Sequence, residues 1–119
     1  MKILVVDDGQ LAINSLVRIL CRVAPDCDYI SAMTTEDALT WMRQGPMDAA
    51  FLNLEMPGMN GFEASKIIKQ TFPKLPVIIV TAHLGKNVAR RCLECGIDDY
   101  IIQPVHTKVL YEQLGKFLD

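Results

Sequence analysis

The sequence predicts an α/β fold: a doubly wound parallel sheet of five strands, ordered 2-1-3-4-5, with helices on both faces. Three features predict it. Short apolar runs alternate five times with stretches of helical periodicity. The clearest runs are continuously apolar, as strands buried on both faces must be. No linker, repeat or low-complexity segment interrupts the alternation, so residues 1–119 read as a single domain. Right-handed crossovers leave few topologies for five such units, and 2-1-3-4-5 is the common one.

The elements follow in order. Lys2–Val6 is the first strand, and Leu11, Ile13, Leu16, Val17, Ile19 and Leu20 recur behind it at helical spacing. Tyr29 to Ala32 form a short second strand. Thr34 with Asp37 marks a capped helix start, and that helix runs through Ala38, Leu39, Trp41 and Met42 to Gly45-Pro46. Ala49–Leu52 is the third strand, followed by a turn-rich loop from Pro57 to Gly61. Asn60 with Glu63 can cap the third helix, which passes through Ile67 and Ile68. Pro76 introduces the fourth strand, Val77–Val80. A fourth helix spans about Lys86–Cys95, the fifth strand is Tyr100 to Ile102, and the last helix runs from about Thr107 to Leu118.

Composition narrows the function classes. Half of the 119 residues are apolar, 22% are charged and the formal net charge is -2. That balance offers no electrostatic grip on nucleic acid or on an anionic membrane. No apolar run approaches the ~20 residues of a membrane helix. The start, Met1-Lys2 with four apolar residues and then Asp7-Asp8, is not a secretory signal, so the expected setting is the cytoplasm. Of the four cysteines, Cys92 and Cys95 form a C-x-x-C on a helix that ends at Gly96. Residues three apart share a helix face, so both thiols are expected to pack on the sheet; a metal or disulfide is the alternative.

In such folds function lies at the carboxyl ends of the strands, at the switch point between strands one and three. Asp7 and Asp8 end strand one, Asn53 follows strand three, Thr81 follows strand four and Gln103 follows strand five. The adjacent carboxylates read either as a loop with a helix cap or as part of a Mg²⁺ pocket, since hard oxygen ligands suit that ion.

Four stretches carry a resemblance that covers the whole chain: Ile3 to Asp8; Asp48 to Gly61; Val77 to Ala82; and Gly96 to Pro104. In this order and spacing they resemble the response-regulator receiver domains of two-component systems, which have the flavodoxin-like (βα)5 form of the doubly wound sheet. The resemblance implies that a histidine kinase passes a phosphoryl group to the residue ending strand three. It implies Mg²⁺ held by Asp7, Asp8, the side chain at position 53 and the main-chain carbonyl of Glu55. It also implies switch roles for Thr81 and Tyr100, a cation at position 103 and a cis bond before Pro104.

Two central positions depart from that pattern. The phosphoacceptor is replaced by Asn53 and the lysine by Gln103, while Gly9 stands where a third acid is often found. The Asn53 amide is neutral, with its nitrogen lone pair delocalised, so it cannot form an acyl phosphate. Gln103 donates hydrogen bonds but brings no charge to neutralise a transferred group. The two changes balance: three carboxylates and a lysine give a formal charge of about -2, as do two carboxylates and two amides. This pairing favours a natural degenerate site over an engineered Asn53, and the two amides can bond to each other. Mg²⁺ is expected to bind weakly through Asp7, Asp8 and the Asn53 oxygen, or not at all.

Other residues have plainer readings. His83 is expected to be a solvated loop residue, with a role as another phosphoryl acceptor as its alternative; His106 is expected at the surface. Met56 and Met59 are expected to pack. Lys86, Arg90, Arg91 and Glu94 form a solvated face or part of a partner surface. The expected function is a signalling module, not an enzyme, that acts by phosphorylation-independent protein interaction. The expected partners are a histidine kinase, a phosphotransfer or effector protein, or a second copy docking through helix four, strand five and helix five. One rival is a phosphoryl-accepting switch using another acceptor or carrying an engineered Asn53. A second is a flavin- or nucleotide-binding domain, disfavoured because Asp7-Asp8-Gly9-Gln10 repels phosphate without a metal. A third is a Mg²⁺-dependent phosphohydrolase with an aspartate nucleophile, disfavoured because no lysine or second acid is evident in this sequence around the pair.

Overall fold

The computed structural model describes residues 1–82 and 87–117. Five β-α units follow one another: β1 (Lys2–Val6), α1 (Gln10–Val23), β2 (Asp28–Ala32), α2 (Thr35–Gln44), β3 (Ala49–Asn53), α3 (Gly61–Thr71), β4 (Val77–Thr81), α4 (Val88–Glu94), β5 (Asp99–Ile102) and α5 (Thr107–Phe117). The strands form one sheet in the order β2-β1-β3-β4-β5. Every pairing is parallel. This is the topology the alternation predicts.

Strand periodicity sorts the core into two layers. Leu4, Val6, Ala50, Leu52, Val77 and Ile79 face one side, where Ala38, Met42, Phe62, Ile68 and Cys92 of α2, α3 and α4 cover them. Ile3, Val5, Phe51, Ile78 and Val80 face the other, under Ile13 and Leu20 of α1 and Leu110 and Leu114 of α5. Cys92 and Cys95 are free and buried in the first layer, as packing residues.

Helix ends follow local chemistry. The hydroxyl of Thr34 accepts from the Asp37 N–H at 3.1 Å, and the Asn60 side chain accepts from the Glu63 N–H at 3.0 Å. After α4, Gly96 takes the left-handed conformation at φ 73°. Its N–H donates to the Leu93 carbonyl and that of Ile97 to the Cys92 carbonyl, at 3.2 and 2.9 Å. This is a Schellman closure, which satisfies carbonyls left open by the end of the helix.

The structure corrects several boundaries. β3 extends one residue to Asn53 and β4 one residue to Thr81, because the neighbouring strands keep pairing there. α4 runs Val88–Glu94, shorter than the span expected from Lys86 to Cys95; Lys86 itself lies outside the described residues, as does Leu118. Leu11 is 82% exposed although it matched the helical spacing. It sits about 200° around the helix from buried Ile13, off the core-facing stripe.

Candidate functional site

The carboxyl ends of β1 and β3 sit side by side, since Val6 pairs with Leu52. The next residue of each strand, Asp7 and Asn53, is therefore delivered to one place despite a separation of 46 positions. Asn53 Nδ2 donates to Asp7 Oδ1 at 3.2 Å and to the Glu55 main-chain carbonyl at 2.8 Å. The Glu55 N–H faces Asn53 Oδ1 at 3.4 Å. Asp7 Oδ1 also accepts from the Gly9 N–H at 3.1 Å.

Burial at the sheet end pushes the Asp7 carboxyl above the usual carboxylate range. Donation from the Gly9 N–H works against that rise, the hydrogen bond and charge of neighbouring Asp8 add to it, and donation from Asn53 works against it. Asp8 is exposed at the mouth of the site.

The remaining positions lie on the adjoining strands. Thr81 is buried at the end of β4, and its carbonyl accepts from the Gln103 N–H at 2.7 Å. The Gln103–Pro104 peptide is cis. Gln103 and Pro104 are exposed. Tyr100 is half-buried against the α2-α3-α4 layer, and its carbonyl accepts from Gln113 Nε2 at 3.1 Å. The expected amide pair between Asn53 and Gln103 is not what occupies Asn53. Both of its amide hydrogens go to the Asp7 and Glu55 oxygens.

As arranged, these side chains do not fit a divalent ion. The nitrogen of Asn53, not its oxygen, faces the oxygens of Asp7 and Glu55. Among the described residues no three His, Cys, Asp or Glu side chains are grouped to hold a metal.

Three contributions were not legible in the motif pattern. A Cβ on Gly61 would stand 2.7 Å from the Asn53 carbonyl oxygen and 2.9 Å from the Leu54 Cα, so only glycine lets α3 start this close to the site. The Gly61 N–H closes the loop by donating to the Leu54 carbonyl at 2.8 Å. Gly9, noted for the acid it lacks, supplies its N–H to Asp7. Arg91, read as part of a solvated face or of a partner surface, is exposed, and its guanidinium lies over the Phe62 ring 4.3 Å from the centroid. Met56 and Met59 pack against the α2-α3-α4 layer. His106 is exposed, and its carbonyl opens α5; His83 lies outside the described residues.

Comparison with known proteins now assigns the class. The family model for the response regulator receiver domain matches residues 3–115. The chain is 32% identical to hybrid signal transduction histidine kinase L of Dictyostelium discoideum, over 98% of this chain and 7% of that protein. It is 28% identical to chemotaxis protein CheY-3 of Vibrio cholerae, over 100% of this chain and 92% of that one. A CheY-like receiver domain protein from Methanospirillum hungatei superposes with a TM-score of 0.85 at 25% identity, over 97% of this chain and 90% of that one. The chain belongs to the response regulator receiver family, the phosphorelay modules of two-component signal transduction. It spans a small part of several relatives it matches, about a third of the phosphodiesterase response regulator RpfG of Xanthomonas campestris (32%) and less of the kinases. No helix among the described residues is long and apolar enough to cross a membrane.

Proposed function

We propose that this chain is an atypical receiver module that signals by protein interaction, without phosphorylation at position 53. The observation that carries this reading is the state of Asn53. It is a neutral amide with both hydrogens committed to neighbouring oxygens, at the position where the family places its nucleophilic carboxylate. The uncharged Gln103 points the same way, because a transferred phosphoryl group needs cationic neutralisation. In this reading Asn53 is a degenerate phosphoacceptor, Mg²⁺ binding is weak or absent, and Thr81, Tyr100, Gln103 and Pro104 are remnants of the switch. The module is not an enzyme and works in the cytoplasm.

The partner is a histidine kinase, a phosphotransfer or effector protein, or a second copy engaged through the α4-β5-α5 face. Exposed apolar side chains support that face: Leu93 on α4 is 80% accessible, and Tyr111 on α5 is 68% accessible.

Intact mass after incubation with acetyl phosphate and Mg²⁺, beside a functional receiver, tests the reading. The expected outcome is no added phosphoryl mass on this chain. A stoichiometric adduct would overturn it and identify another acceptor, with mapping to begin at Asp7, Asp8 and His83.

A further inference from the structure

We propose that Asn53 is an internal strut that takes the place of a divalent cation, tying the β3–α3 loop to the end of β1 in a metal-independent geometry. Two of the oxygens expected around an ion, Asp7 Oδ1 and the Glu55 carbonyl, meet one amide nitrogen at 3.2 and 2.8 Å. That nitrogen has two hydrogens and both are used. The surroundings decide which end of the amide is which. Reversed, the amide oxygen would confront a carboxylate and a carbonyl with no hydrogen between them, and the Glu55 N–H would lose the oxygen it faces at 3.4 Å.

An entering cation must turn Asn53 round. That breaks both donations and offers the ion only a neutral oxygen in return. Mg²⁺ demands near-octahedral geometry and sheds water reluctantly, so the exchange favours the amide. A carboxylate at this position could not act as the strut. It has no hydrogens, and it would repel Asp7 and the Glu55 carbonyl until a cation arrived. The contact is thus carried by the chain itself, and it stands whether or not the pocket serves a partner.

The test compares the wild type, Asn53→Ala and Asn53→Asp by thermal unfolding in EDTA and in excess Mg²⁺, with amide hydrogen exchange at Glu55 and Gly9. The wild-type Tm is expected to move by less than about 1 °C between the two conditions. Asn53→Asp is expected to melt about 3 °C or more below the wild type in EDTA and to recover with Mg²⁺, binding the ion at least about tenfold more tightly. Asn53→Ala is expected to show no response to Mg²⁺ and about tenfold faster exchange at Glu55. Stabilisation of the wild type by Mg²⁺ as large as that of Asn53→Asp would overturn the proposal. So would an Asn53→Ala protein matching the wild type in loop exchange. Should the alanine variant fail to fold, Asn53→Asp decides alone, because a strut requires it to be less stable than the wild type in EDTA.

Discussion

Gly61 and Cys92 show how single residues are held by what lies around them. A methyl group on Gly61 would meet backbone of the β3 end first, 2.7 Å from the Asn53 carbonyl oxygen and 2.9 Å from the Leu54 Cα, with Ile79 Cδ1 at 3.0 Å. Backbone cannot rotate away, so Gly61→Ala is expected to cost about 1–3 kcal/mol in urea unfolding and to loosen the Asn53 loop. Cys92 is buried beneath α4, and burial, with smaller contributions from Cys95 and Asp99, pushes its thiol up to about 11. The native state therefore keeps the Cys92 proton at a pH where the unfolded chain releases it, near the ordinary 9.0. Its contribution to stability is complete below that value and is lost as the pH rises toward 11. In native protein near pH 8, iodoacetamide is expected to label exposed Cys21 and to spare Cys92 until unfolding; equal labelling would contradict the burial argument.

At the scale of elements, caps decide where helices begin. Asn60 opens α3, which starts directly beside the site, and its side chain satisfies the otherwise open Glu63 N–H. Asn60→Ala is expected to cost about 1 kcal/mol, with Asn60→Ser losing much less, as read from denaturant midpoints at constant m. Asp98, just before β5, ties β4 to α3 at the other end of β4. Its carboxylate accepts from the Val77 N–H at 2.7 Å and pairs with Lys69 Nζ of α3 at 2.6 Å. The caps at Thr34 and Asn60, the strand runs and the glycine stop of α4 were legible in the sequence, because each is decided by residues within a few positions. The stacking of exposed Arg91 over Phe62 was not, since it joins α4 to α3 across a long separation along the chain.

At the scale of the whole molecule, the candidate site draws on the ends of β1, β3, β4 and β5, and its charge must be judged across all of them. Restoring one carboxylate by Asn53→Asp adds a negative charge beside Asp7 and Asp8 without the lysine that balances it. That single variant is expected to accept phosphoryl groups from acetyl phosphate slowly. The double variant Asn53→Asp with Gln103→Lys is expected to exceed it by on the order of 10²-fold, as the cation regains the transferred charge. Near-normal labelling of the single variant, measured by intact mass against time, would show that Gln103 is not part of the deficit.

By itself the sequence determined the class of fold, the strand order, the caps and the positions at the strand ends. Those follow from hydrophobic period, turn residues and motif spacing, which act between near neighbours along the chain. The resemblance carried by its motifs implies that Asn53 and Gln103 stand where receiver domains keep an aspartate and a lysine. Only the tertiary structure decided how Asn53 is used. The direction of its amide depends on Asp7, 46 residues away, and on the Glu55 carbonyl. Such a choice between donor and acceptor ends is settled by the partners that folding brings into range, and no local pattern records it.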